Sequence, residues 1–318
     1  MAIAVTNTQA NSGTTTNSTT PFTFSYTSSG NALIILITSS GGVNSVTFGG
    51  VALTLLGSGS FGIQTSMYAL INPVAGAGTV SILQGGSNTA LAVDSISLSG
   101  VKPSGYAKPI VSFNGNDTNG ETLSMGSITP GSIMFDVAAI RANVSGISQG
   151  AGQTLLSKID NFPSRAHAHV SSYKFGATDM AFTRTAGSFE NTSYIAVEIL
   201  KEVFPPIVTT GAQSELFSTT TTVSGNEVTD EGDESVTDRG VAYALSTEPT
   251  ILDSTVPTGS GLGVFASDLS GLAGGSTYYA RAYATSAIQT SYGSEISFRT
   301  DENAPSTISI LDNPVEFN

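Results

Sequence analysis

The sequence has no cysteine and no tryptophan. Without thiols it can build neither disulfides nor thiolate metal sites, and without indole it lacks the side chain most used to stack on sugars. Charge is scarce as well. Asp, Glu, Lys and Arg make up 11% of the 318 residues, against about 25% in ordinary soluble domains. No window holds a sustained 3.6-residue apolar period, which excludes long amphipathic helices. The longest apolar run, residues 32–37 (ALIILI), falls far short of the roughly 20 residues that a membrane-spanning helix needs. The start, MAIAV, lacks the basic segment and apolar core of an export signal. Phosphate-binding loops, dinucleotide fingerprints and nucleophile elbows are missing too.

What fills the chain is Gly, Ser, Thr and Asn between short apolar runs. That composition fits many strands joined by tight turns, so the expected class is all-β, and the length points to two domains. Charge divides them. Residues 203–318 carry 15 acidic and 3 basic side chains, whereas residues 1–202 carry 9 and 8. Neither half offers the Lys and Arg that phosphate contacts require, so nucleic acid is not an expected partner. An acidic module attached to a neutral one fits an assembly in which one half is buried and the other faces water.

Five segments follow from composition and pattern. Residues 1–20 are polar and low in complexity and read as an N-terminal arm, either a flexible lead-in or a docking or strand-exchange element. Residues 21–202 alternate as strands near 22–27, 32–37, 43–48, 51–56, 66–71, 78–83, 90–98, 133–139 and 194–200. In the run at 90–98, Leu91, Val93, Ser95 and Ser97 oppose Ala92, Asp94, Ile96 and Leu98. Residues 101–125 read as an exposed loop or hairpin. The Pro205-Pro206 pair marks a linker over 203–206, since proline cannot continue a ladder. A second β domain spans 207–300, and 301–318 is a tail in which 306–311 could pair as an edge strand.

Two resemblances sharpen this. Leu272-Ala273-Gly274-Gly275-Ser276-Thr277-Tyr278 resembles the E–F corner of fibronectin type III-like modules of bacterial surface and phage proteins. Thr219 to Gly225, Arg239 to Tyr243 and Gly259-Ser260-Gly261 continue the pattern. It implies a fibronectin type III-like β-sandwich over 207–300 with Tyr278 as a tyrosine corner. The alternation there puts Tyr278, Ala280, Ala282 and Ala284 on one face and Tyr279, Arg281 and Tyr283 on the other. The outward three are the candidates for surface binding. Residues 45–82, with Gly49-Gly50, the strand ending in Asn72-Pro73 and the Thr79-Val80-Ser81-Ile82 run, resemble a jelly-roll-like domain of phage structural proteins. That resemblance implies one jelly-roll-like β-sandwich over 21–202.

Chemistry finds few seats. His167 and His169 are the only histidines; on a strand they would point the same way, as metal ligands or a threefold-axis cluster require. The bland reading, an exposed strand pair, is favoured. Asp230, Glu231, Asp233 and Glu234 surround Gly232, a turn that a hard cation would suit, though a solvated acidic loop is the simpler reading. Asp94 and Asp136 could be nominated as a glycosidase pair, but no aromatic platform accompanies them. No cofactor and no enzymatic activity are expected.

The expected role is a bacteriophage virion structural protein: a capsid decoration, head fibre or tail-associated protein, assembled in the host cytoplasm. Its N-terminal domain would dock on other virion proteins, as a homo-oligomer for which a trimer fits a fibre. Its acidic domain would project outward, with weak contact to host-surface glycan. No membrane insertion is expected. A bacterial surface adhesin or carbohydrate-binding module is the alternative.

Overall fold

The computed structural model describes residues 2–15, 19–86, 89–117, 120–141, 145–160, 167–185 and 190–302. Every regular element among them is a strand, so the class is all-β. The chain divides into two compact units, 1–202 and 203–318.

The first unit begins with Ala4–Thr15 (β1), Phe22–Ser28 (β2), Ala32–Ser39 (β3), Val43–Phe48 (β4) and Val51–Ala52 (β5). Next come Thr54–Ser60 (β6), Gln64–Ile71 (β7), Gly76–Gln84 (β8) and Thr89–Ser99 (β9). These nine strands make two facing sheets, ordered β1-β9-β3-β7-β6 and β2-β8-β4-β5. The chain then repeats the plan with Val111–Asp117 (β10), Gly120–Ser124 (β11), Ile133–Ile140 (β12) and Ser145–Gln149 (β13). Thr154–Ile159 (β14), Ala168–Phe175 (β15), Asp179–Thr185 (β16) and Glu190–Ile199 (β17) complete it, with sheets ordered β10-β17-β12-β15-β14 and β11-β16-β13. Leaving out the two-residue β5, each half runs first-eighth-third-sixth-fifth in one sheet and second-seventh-fourth in the other. The expectation of a single sandwich over 21–202 is therefore corrected. Two sandwiches of one topology pack together as four layers.

Period-2 alternation explains the layering. On β3, Leu33, Ile35 and Ile37 face the core of the first sandwich, with Val46, Phe48, Val80, Ile82 and Val93. The alternate residues Ala32, Ile34 and Leu36 face the second sandwich, against Ile133, Phe135, Val137, Ile195, Val197 and Ile199. A third core, with Met134, Ala138, Phe182 and Tyr194, fills the second sandwich. Strands β3, β9, β12 and β17 are thus covered on both faces, which is why residues 32–37 of β3 form an unbroken apolar run and β12 one broken only at Asp136.

Two further expectations fail here. Residues 1–20 are not an arm over their described length: β1 pairs with β9 from Ala4↔Ser99 to Thr15↔Thr89. Its polar side chains close the sheet edge, with Asn7 Nδ2 donating to Thr27 O (2.7 Å) and Gln9 Nε2 to Ser25 O (3.0 Å). A composition argument that counts only apolar burial misses that stabilisation. Nor is 101–125 an exposed loop. It carries β10 and β11, which enter different sheets of the second sandwich.

The second unit contains Ile207–Thr209 (β18), Ala212–Ser214 (β19), Thr220–Asp230 (β20), Asp238–Ala244 (β21) and Ser254–Gly259 (β22). Gly263–Ser270 (β23), Thr277–Thr285 (β24), Thr290–Tyr292 (β25) and Ile296–Arg299 (β26) follow. β18 and β19 pair with one edge of β20, and β23 with the other; the facing sheet is β22-β21-β24, with β25 and β26 both on β24. This is the fibronectin type III-like arrangement that the resemblance implied. Val223, Val241, Phe265, Leu269, Ala280, Ala282 and Phe298 fill its core.

Tyr278 forms the tyrosine corner, its buried phenol oxygen accepting from Ala273 N at 3.0 Å. Its ring stacks on Phe298 with centroids 6.0 Å apart. Tyr278→Phe leaves that N–H without a partner and lowers the stability of the second unit by about 1–3 kcal/mol. Calorimetry of the full chain would show the second unit's transition moving down while the first unit's stays in place. The tail residues 303–318, and the strand expected at 306–311, lie outside the described residues.

Candidate functional site

The candidate polar residues of the first unit fall in two buried groups, and those of the second in an exposed loop. The first group joins the two sandwiches. Asp94, on β9, accepts at Oδ2 from Ser171 Oγ (2.5 Å), Ser157 Oγ (2.9 Å) and His169 Nε2 (3.0 Å). Thr38 Oγ1, on β3, meets His169 Nδ1 at 3.2 Å, and Ser157 Oγ also lies 2.9 Å from Nε2. A shift in the β14–β15 register between Leu155 and Ser157 turns Ser157 toward the carboxylate. With the proton on Nε2, every partner in the group is matched. His169 and Asp94 are 0% and 2% exposed.

Serine, histidine and aspartate here do not make a catalytic triad. A triad puts nucleophile and carboxylate on opposite ring nitrogens, so that the base is oriented from one side and used from the other. Here Ser157 and Asp94 share Nε2. A cavity of about 60 Å³, bounded by Thr8, Gln9, Ala10, Asp94, Ser95 and Leu156, adjoins the group and leaves no room for a substrate. The group fastens one sandwich to the other. The histidine reading is corrected accordingly: His167 and His169 are both buried, and only His169 lies within β15. An exposed pair or a threefold-axis cluster would need accessible rings. Among the described residues no three His, Asp or Glu side chains gather as a metal site.

The second group lies inside the second sandwich, around Asp136 of β12. Ser172 Oγ donates to Oδ1 (2.5 Å), while Tyr194 OH (2.7 Å) and Gln153 Nε2 (3.0 Å) donate to Oδ2. Burial pushes the Asp136 carboxyl up to about 6, against the pull of these three donors toward ionisation. Asp94 and Asp136 occupy different layers, facing different cores, so the nominated glycosidase pair does not form.

The acidic loop is occupied with its own turns. Asp230 Oδ1 accepts from Gly232 N (2.8 Å), Glu231 Oε1 from Val236 N (3.0 Å) and Asp233 Oδ2 from Phe204 N (2.8 Å). The carboxylates point to separate backbone amides and share no common centre.

Of the three side chains expected to face outward on β24, Tyr279 is half-buried and Arg281 partly so. Tyr283 is only 1% exposed, which corrects its assignment. Its hydroxyl donates to Asp238 Oδ2 at 3.1 Å, and Tyr292 of β25 stands opposite it in register. Burial, with Asp238 beside it, holds that phenol above its ordinary range. Arg281 is committed to the loop between β21 and β22, donating to Pro249 O (2.5 Å) and Glu248 O (3.1 Å) with its guanidinium 4.2 Å from the Tyr292 ring centre. Ile251 N donates to Tyr292 OH at 3.0 Å. The loop so held displays Leu245 and Leu252, the latter 93% exposed, beside an open hollow of about 700 Å³ lined also by Tyr243, Ser246, Asp253 and Tyr278. Alternation predicts which residues leave the core; it does not predict that a loop folds back over them.

No family model matches this sequence, and neither does any curated protein. Among solved structures, the chain is similar to the sensor domain of the anti-sigma factor RsgI4 of Pseudobacteroides cellulosolvens (16% identity, 31% of this chain and 97% of that one, TM-score 0.26). It is similar also to a human fourth fibronectin type III domain (16%, 33% and 88%, TM-score 0.26). The chicken CNTN1 FN1–FN3 domains are a third such structure (12%, 89% and 99%, TM-score 0.25). Scores of this size carry no argument about role, and the fold of the second unit rests on its own strand order and tyrosine corner.

Proposed function

We propose that this chain is a non-enzymatic structural protein of a bacteriophage particle, a capsid decoration, head fibre or tail-associated protein. The observation that carries the reading is the strand order of the first unit. In each sandwich the order first-eighth-third-sixth against second-seventh-fourth resembles that of a jelly roll, an architecture used repeatedly in viral capsids, although the fifth strand lies beside the sixth and not beside the fourth. A fold alone does not fix a function. The chemistry agrees, however: the described polar clusters are buried and mutually bonded, and none presents a nucleophile and base to a cleft. The first unit then serves as the docking body on other virion proteins, in a homo-oligomer expected to be a trimer. The acidic second unit supplies the host-facing contact through the 245–253 loop, with surface glycan as the expected partner, and symmetric assembly turns weak contacts into avidity.

Mass spectrometry of purified particles from the host that carries the gene is the direct test. The reading requires the chain in the particle at a fixed ratio to the major capsid protein, and sedimentation of the purified chain as an oligomer. A lone monomer absent from particles would overturn it. Glycan binding by such a monomer would favour an adhesin instead.

A further inference from the structure

The repeated plan of the first unit provides an internal control for its buried chemistry. Ile35 on β3 stands opposite Tyr68 and Ser95; Asp136 on β12 stands opposite Ser172 and Ala196. Ser172 thus takes the place of Tyr68, and Tyr194, two residues before Ala196, takes that of Val93. Leu53 and Gln153 each precede a Thr-Leu-Leu that opens the next strand, Thr54-Leu55-Leu56 and Thr154-Leu155-Leu156. In both, the register shifts after the first leucine. At four equivalent positions the first sandwich therefore has Ile35, Leu53, Tyr68 and Val93, all within its apolar core. The second has Asp136, Gln153, Ser172 and Tyr194, all buried. The fold does not require polar groups there, and a buried carboxylate is expensive compared with an apolar side chain.

The four side chains bring a hydroxyl, a primary amide and a carboxylate base together. Gln153 Nε2 donates to Ser172 Oγ at 2.6 Å, so the amide carbon is at most one C–N bond further from the hydroxyl oxygen, and a turn about the Gln153 Cγ–Cδ bond presents its face to that oxygen. Ser172 Oγ–H points to Asp136 Oδ1, and Tyr194 and Gln153 hold Oδ2, which fixes the carboxylate's orientation. Gln153 Oε1 accepts from Ala181 N at 2.7 Å. The turn 150–153, with Gly152 at φ 74°, sets the glutamine in place and closes with Gln153 N donating to Gly150 O.

We propose that Ser172 and Gln153 join through an intramolecular ester that the protein forms on itself with loss of ammonia. Asp136 takes the proton from Ser172 Oγ as that oxygen attacks Cδ of Gln153. The charge that develops on Oε1 is held by the Ala181 N–H. The Cδ–N bond then breaks, and the proton on Asp136 passes to the departing nitrogen, which leaves as ammonia. The carboxylate is regenerated and no outside reactant is used. A carboxyl held at about 6 is a better base than an ordinary one yet still ionised at neutral pH, and burial keeps out the water that would hydrolyse the product. The ester pins the turn and the start of the edge strand β14 to the interior strand β15. It stands independently of where the protein acts.

Intact-mass measurement of the full chain should give a species one ammonia lighter than its sequence. Trypsin should release peptides 142–158 and 166–174 as one linked species that hydroxylamine separates. Ser172→Ala and Asp136→Asn should each restore the missing ammonia. The second keeps both reacting groups, so its full mass reports the lost base and not a lost partner. Native chain at full sequence mass would overturn the proposal. So would an ammonia loss that survives in Ser172→Ala, since Asn-Gly sites such as Asn114-Gly115 lose ammonia by a different route.

Discussion

Asp94→Ala is expected to lower the stability of the first unit by about 3–5 kcal/mol, the range for breaking a buried hydrogen-bonded charge network from one side. The carboxylate is the common acceptor for Ser157, Ser171 and His169. Alanine removes the shared acceptor of all three donors and leaves only the Ser157–His169 contact between them, and a buried donor without a partner is costly. The loss falls on the seam that holds the sandwiches together, so it should register as reduced cooperativity as well as a lower midpoint. Asp94→Asn keeps one acceptor oxygen in place and should cost less than half as much. Urea denaturation followed by far-ultraviolet dichroism would separate this from the second unit, whose core contains none of these residues. The competing outcome is specific. If water from the small adjoining cavity replaces the carboxylate, the alanine variant loses under about 1 kcal/mol, and the group is not the fastening described.

The legible parts of this chain were those in which one strand carries its own signal. Leu33 to Ile37 reads as a doubly covered strand because both its faces are apolar, and the alternation through Asp94 assigns its two faces correctly. Tyr278 was legible because a tyrosine corner is a local motif, closing over five residues. The duplication was not legible, because equivalent positions differ in polarity: Ile35 against Asp136, Tyr68 against Ser172. Its one surviving sequence trace is the Thr-Leu-Leu that opens β6 and β14. The polar strands β1, β10 and β11 escaped for a related reason. Their ordering comes from backbone pairing with distant strands and from side chains such as Asn7 and Gln9, which no window of local hydropathy contains. The buried groups show the same limit. A carboxylate in an apolar strand announces that it needs donors, but those of Asp94 lie 63 to 77 residues away, and only the packed sheets identify them.

The Asp136 carboxyl gives the largest expected pH effect. Its folded pKa is raised from 3.8 to about 6 by burial, so the folded state holds this proton more tightly than the unfolded chain does. The contribution is most favourable below about pH 4, where both states are protonated, and is lost as pH rises through about 6. That difference in proton affinity corresponds to about 3 kcal/mol, against a typical whole-domain stability of about 5–15 kcal/mol. Other carboxylates in the first unit respond in the opposite sense when they are paired in the folded state, as Glu198 is with Lys108 at 2.6 Å. The measurement is therefore a difference. Native chain and Asp136→Asn are unfolded in urea at about pH 4.5 and about pH 7, and the stability change between the two conditions is compared. The native chain should lose more stability, or gain less, than the variant by about 2 kcal/mol. Equal pH dependence in both would mean that the groups around Asp136 stabilise its ionised carboxylate as well as water does. In that case Asp136 would lack the basicity that the Ser172–Gln153 linkage draws on.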